Sequence, residues 1–208
     1  MIQSMNTKVI LTIVTSLIAT AVLASDPPPV GSAAPDFSLT DAKGTTHALS
    51  QYKGKYVVLE WFNPQCPFVK KHYGSDNMQR LQREYTGKGV VWLTIDSNAS
   101  GTEGNITPEQ AEKIMASWRT KQTALLLDSD STVAKLYGAK NTPDMVVVNP
   151  EGKIVYEGAI DSKASPNPAD IPSSTNYVKA ALDESLAGKA VSNPQTKPYG
   201  CSVKYKSS

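Results

Sequence analysis

The chain has 208 residues, 40% of them hydrophobic and 19% charged, which is enough apolar material for one core and too balanced for a disordered chain. Its 13 glycines and 14 prolines are close to average usage, so collagen-like and low-complexity classes are excluded. A net charge of +2 without a dense basic block excludes a nucleic-acid surface, and two cysteines with two histidines are too few soft ligands for a tetrahedral zinc site.

Lys8 precedes an apolar run over residues 9–23 that ends Val22-Leu23-Ala24, a pattern that predicts signal-peptide cleavage before Ser25. Fifteen residues at about 1.5 Å each span roughly 22 Å, short of the ~30 Å hydrocarbon core, so a membrane anchor is the weaker reading. The expected location is periplasmic or secreted, where disulfides persist, with no stable membrane insertion after cleavage. The predicted organisation is a signal peptide over 1–24, an extended linker over 25–33, one domain over 34–190 and a tail over 191–208 carrying Cys201.

Past the Pro-rich linker, residues 37–39 and 45–49 flank Asp41-Ala42-Lys43-Gly44 and predict a hairpin. Residues 56–62 form a near-continuous apolar run, as in a strand buried on both faces, and a polar helical stretch follows to about Tyr85 with a bend at Gly74-Ser75. Residues 90–95 predict a second buried strand, followed by a long polar loop over 96–107. Thr107, Pro108 and Gln110 then make a capping box ahead of an apolar face of Ala111, Ile114, Met115 and Trp118. A short strand at 124–127 and a helix at 131–137 stopped by Gly138 come next. A hairpin around Asn149-Pro150-Glu151-Gly152 and a closing helix with Val178, Ala181, Leu182 and Leu186 complete the pattern. This order predicts an α/β sandwich with a mixed central sheet flanked by helices and an N-terminal β-hairpin. The last twenty residues have no periodicity and are expected to run over the surface.

The chemistry concentrates at Cys66, which follows a buried strand and precedes Pro67 at the start of the next helix. Unpaired amides at a helix N-terminus favour an anion, so Cys66 is expected to be a reactive thiolate; Lys70 and Lys71 add positive potential, screened if exposed. A thiol of pKa about 8.5 is roughly 3% ionised at pH 7, and one lowered to about 7 is half ionised. His72, six residues on, falls on another helical face and reads as a surface or capping residue, and His47 has no evident partner. Trp61, Trp92 and Trp118 read as core residues. Cys66 with His72 lacks the second thiol of a copper site, so no cofactor or metal is expected.

The segments Ala34-Pro35-Asp36-Phe37, 49–55, Cys66-Pro67-Phe68-Val69-Lys70, Asn141-Thr142-Pro143-Asp144 and Gly200-Cys201-Ser202-Val203-Lys204 resemble the thioredoxin-like redoxin superfamily. Within it the chain is most similar to the peroxiredoxin-like branch of the alkyl hydroperoxide reductase/thiol-specific antioxidant proteins. The resemblance implies a thioredoxin-like fold, a catalytic Cys66, and Thr142 with a cis Pro143 facing that cysteine and offering backbone groups to an extended substrate. Two departures matter. Val69 stands where thioredoxins carry their second cysteine, and Leu59 and Asn63 replace the proline and threonine of the peroxiredoxin motif, with Pro143 where its arginine would align. Efficient peroxidase activity is therefore not expected.

Cys201 has three readings: the resolving thiol for Cys66, half of a structural disulfide, or an unpaired thiol. Closing the loop between them would stabilise the fold by about 5 kcal/mol at most, so stapling alone would be a sufficient reason for a pair. The function expected is an exported thiol–disulfide oxidoreductase that meets a protein or small-molecule disulfide and an external thiol reductant. The alternatives are a non-catalytic accessory module braced by Cys66–Cys201, or a weak peroxidase. The fold alone does not choose among them.

Overall fold

A computed structural model describes residues 27–206; the signal peptide expected over residues 1–24 lies outside the described residues. The strands are β1 (Ser38–Asp41), β2 (Thr46–Ala48), β3 (Val57–Trp61), β4 (Val91–Asp96), β5 (Ala124–Leu127), β6 (Asn141–Thr142), β7 (Asp144–Val148), β8 (Ile154–Gly158) and β9 (Cys201–Ser202). The helices are α1 (Pro67–Gly74), α2 (Asn77–Gly87), α3 (Pro108–Ser117), α4 (Thr132–Tyr137) and α5 (Tyr177–Leu186). Among the described residues a sheet runs in the order β2-β1-β5-β4-β3-β7-β8, and β6 pairs with β9 apart from it.

The sheet is mixed: β3, β4 and β5 are parallel, while β7 and β8 continue from β3 antiparallel. Each of these central strands is covered on both faces, which is why the apolar runs at 56–62 and 90–95 lack alternation. The alternation survives in the side each residue faces. Val57, Leu59 and Trp61 pack with Val133, Ala134 and Tyr137 of α4, whereas Val58 points to the layer of α1, α2, α3 and α5. Trp61 and Trp92 are core residues, as expected, and Trp118 is half-buried against Phe62 and Tyr73. This is a thioredoxin-like sandwich.

The helix boundaries follow local signals. Thr107 Oγ1 accepts from the Gln110 amide and the Gln110 side chain accepts from the Thr107 amide at 2.8 Å, a cap worth about 1 kcal/mol. The Pro-rich loop departs from expectation: Pro168–Ser173 forms a 3-10 turn, started by Asn167 Oδ1 accepting from the Ala169 amide. The linker is extended but not free, because Gly31 and Ala34 donate to Ile154 and Gly152 along the β7–β8 hairpin. The tail corrects the sequence reading more strongly. Instead of running loosely over the surface, it forms β9 and buries Val203, because its backbone groups find partners in β6 and the 96–107 loop. Among the described residues no helix is long and apolar enough to cross a membrane.

Candidate functional site

Cys66 sits in the tight turn between β3 and α1. The Asn63 side chain accepts from the Gln65 amide at 2.7 Å and the Asn63 carbonyl accepts from the Cys66 amide at 3.1 Å, which folds the chain back at the strand end. Cys66 is the N-cap residue, and Pro67 occupies the first helical position, where a missing N–H costs nothing. The sulfur therefore lies over the first free amides of α1. It has no solvent-exposed surface.

The Thr142–Pro143 peptide bond is cis, and it brings the Thr142 carbonyl to 3.1 Å from Cys66 Sγ. β9 lies antiparallel to β6 with Cys201 opposite Thr142 and Ser202 opposite Asn141. Cys66, Thr142, Pro143 and Cys201, distant in sequence, thus meet at one place. Both cysteines are free thiols, Cys66 buried and Cys201 half-buried.

The two sulfurs differ electrostatically. Burial opposes ionisation of Cys66, but hydrogen bonds from the Cys201 thiol, from Thr142 and from the amides of Val69 and Cys201 outweigh it and lower its pKa. The Thr142 carbonyl pulls the other way, since it accepts only from the protonated thiol. Burial, the hydrogen bond to Cys66 and the Cys66 charge push Cys201 up to about 12. Of the pair, Cys66 is therefore the thiol that ionises more readily, and Cys201 holds its proton to higher pH.

Lys71 and His72 correct the sequence reading. Lys70 is exposed, but Lys71 is buried and pairs with Asp161 at 3.1 Å, also donating to the Lys163 carbonyl at 3.0 Å. His72 is buried too, with Nδ1 accepting from Asn77 Nδ2 at 2.9 Å and Nε2 3.7 Å from Asp161. Burial drives its pKa down to about 4, partly offset by the Asp161 charge, so it is neutral at pH 7. His47 does have partners, Asp41 at 2.9 Å across the β1–β2 hairpin and the Tyr52 hydroxyl at 2.6 Å from the 3-10 turn that follows β2.

Asp161 connects this cluster to the tail by accepting from the Tyr199 hydroxyl. Tyr199 packs against Phe68 of α1 with the rings tilted, centres 5.7 Å apart, and Lys71 Nζ lies 5.8 Å from its ring centre. Sequence reasoning missed Asp161 and Tyr199, and had Gly200 only as part of the tail motif. Only the position of Tyr199-Gly200 directly before Cys201 offered a signal. Among the described residues no group of three or more His, Cys, Asp and Glu side chains has the arrangement of a metal site.

Residues 30–157 match the AhpC/TSA family model. Thiol-disulfide oxidoreductase ResA of Bacillus subtilis (strain 168) is 29% identical over 125 residues, 60% of this chain and 64% of that protein. ResA of Bacillus cereus (strain ATCC 10987 / NRS 248) is 25% identical over 128 residues, 62% of this chain and 68% of that one. A solved structure of an uncharacterized conserved protein from Geobacillus kaustophilus is similar over 86% of this chain and 94% of its own, at 32% identity and a TM-score of 0.74. A hypothetical protein from Sinorhizobium meliloti 1021 is similar over 88% of this chain and 98% of its own, at 26% identity and a TM-score of 0.74.

Proposed function

The chain belongs to the AhpC/TSA family of the thioredoxin-like redoxins, and we propose that it is a thiol–disulfide oxidoreductase working through Cys66 and Cys201. The observation that carries this reading is the docking of Cys201 opposite Thr142, within hydrogen-bonding reach of a Cys66 thiol whose pKa is lowered. The ResA relatives, named as thiol-disulfide oxidoreductases, support it. The chain spans only 64% of the Bacillus subtilis relative, so the substrate has to be argued from the site itself.

In the reaction, the Cys66 thiolate attacks one sulfur of a disulfide R–S–S–R′, forming Cys66–S–S–R and releasing R′–S⁻. Cys201 must first swing aside, since docked it leaves Cys66 no exposed surface. On its return Cys201 loses its proton to solvent and attacks the Cys66 sulfur, expelling R–S⁻. Two electrons have passed to the substrate and the pair is left as a disulfide. An external thiol reductant closes the cycle. It attacks Cys201, the half-buried sulfur, because Cys66 is inaccessible and, with the lower pKa, is the better leaving group. Pro143 and Thr142 line the attack site. The predicted signal peptide supports work in an exported, oxidising compartment. Asn63, at the position of the peroxiredoxin hydroxyl, is spent on the turn that holds Cys66, which weighs against a peroxidase.

The test is direct. Mass spectrometry of the mature protein after mild oxidation is expected to show a Cys66–Cys201 crosslink, and Cys66→Ser is expected to abolish reduction of glutathione disulfide. Full activity in Cys66→Ser would overturn the assignment.

A further inference from the structure

We infer that the segment Gly200–Ser202 fills, from within the same chain, the strand edge at Asn141–Thr142, so that the site exchanges with low-molecular-weight disulfides in preference to extended polypeptides. The inference rests on the exchange reading above and adds its substrate class. A polypeptide that docks on a strand edge gains affinity from main-chain hydrogen bonds. Here those groups are already taken. Thr142 pairs with Cys201 and Asn141 with Ser202, Asn141 Nδ2 donates to the Gly200 carbonyl at 3.0 Å, and the Val203 amide donates to the Lys140 carbonyl at 3.0 Å.

Gly200 shows that the contact is built. Its φ is +126°, and a Cβ on it would collide with the Thr142 carbonyl oxygen, so only glycine lets the tail lie this close to the cis bond. The segment is also held on both sides. Before it, Tyr199 is fixed by Asp161 and Phe68. After it, the Lys204 carbonyl accepts from the Ala99 amide at 2.7 Å, and the Tyr205 hydroxyl donates to the Ala139 carbonyl at 2.5 Å.

These two anchors separate two motions. Turning the Cys201 side chain off Cys66 needs only a local shift of the tail and leaves the Asn141–Ser202 pairing, the Val203–Lys140 contact and both anchors in place. Clearing the edge for an incoming strand requires the whole tail to leave. A small disulfide needs only the first motion, whereas an extended polypeptide needs the second.

The experiment uses the full mature chain with dithiothreitol as electron source, measuring turnover of glutathione disulfide and of insulin above the dithiothreitol background. The wild type is expected to favour glutathione disulfide. Gly200→Val, which expels the tail from the edge, is expected to raise the insulin-to-glutathione-disulfide rate ratio by about tenfold, close to the worth of one net backbone hydrogen bond. Tyr199→Ala, which releases the upstream anchor, is expected to move the ratio the same way and serves should Gly200→Val not fold. Cys201→Ser keeps the tail docked and is expected to leave the ratio low. A wild-type ratio already equal to that of these tail variants overturns the inference while leaving exchange intact. Turnover of both substrates by Cys66→Ser overturns the exchange reading instead.

Discussion

Asp144 follows the cis Pro143 and is buried in β7, where its carboxylate accepts from its own neighbour Met145 at 3.0 Å. Burial and the nearby Glu157 charge push its pKa up to about 8. For an acid raised in the fold, the native state holds a proton that the unfolded chain releases. The associated stability is complete below about pH 4 and is lost as pH rises towards 8. Asp144→Asn is therefore expected to stabilise the protein at pH 7.5, by about 5 kcal/mol at most, since each pKa unit is worth about 1.4 kcal/mol and roughly 3.6 units separate pH 7.5 from the ordinary carboxyl value. Urea unfolding should show the gain shrinking towards pH 4. His72 acts with the opposite sign, its neutral buried ring costing stability as pH falls from about 6.5 to about 4, so the comparison is between variants at each pH. Neither residue was legible as buried. Asp144 follows a predicted turn, and His72 lies in a polar helix whose inner face is chosen by partners such as Asp161, far along the chain. Glu60 was hidden likewise inside an apolar run; burial raises its carboxyl pKa, partly offset by hydrogen bonds from Trp92, Tyr73 and Thr94 at 2.8 to 3.0 Å. Cys66 and Cys201 could be singled out because their chemistry marks them wherever they lie.

At the scale of elements, legibility tracks how local the cause is. The α3 cap, the Gly138 stop after α4 and the two hairpins are each specified within a few residues, and the structure has them where the sequence predicts. β6 and β9 are two residues long, too short for any periodicity, and each exists only because the other is there. The join between α1 and the tail is likewise non-local. Lys71 of α1 finds Asp161 90 residues away, and Asp161 then holds Tyr199. Asp161→Ala would strand a buried lysine and release the tyrosine together. Removing one partner of a buried pair costs about 3–5 kcal/mol, so this variant is expected to unfold at markedly lower urea. Asp161→Asn keeps the shape and one acceptor and is expected to lose less. Because the tail is loosened in both, the Cys66–Cys201 crosslink should form more slowly on oxidation. A rate equal to wild type in a folded Asp161→Asn would show that the tail does not depend on this anchor.

Across the whole molecule, the tail ties the last residues to the first turn of α1, so a crosslink there would close most of the described chain into one loop. In the chain-entropy account such a loop, well over a hundred residues, contributes at most about 5 kcal/mol. Most engineered disulfides fall short because the native state must distort to make them. Here Cys201 is paired with Thr142, whose carbonyl lies 3.1 Å from Cys66 Sγ, while both cysteines are still thiols, so the tail is already brought to its partner. Oxidation is expected to raise the stability by about 2–4 kcal/mol. It should also lower the urea m-value, because a looped unfolded chain exposes less surface. The same gain makes the disulfide harder to reduce, by about 30 mV for each 1.4 kcal/mol. Stabilisation of the reduced state opposes it, since hydrogen bonds from the Cys201 thiol and from the Val69 and Cys201 amides lower the Cys66 pKa and favour its thiolate. An exchange enzyme needs these two effects near balance, which corresponds to a potential above about −300 mV in a glutathione titration. A potential well below that, with the full loop-closure stability, would make the pair a permanent brace and return the protein to the accessory-module reading. Equal unfolding midpoints for oxidised and reduced protein would mean that the loop never closes.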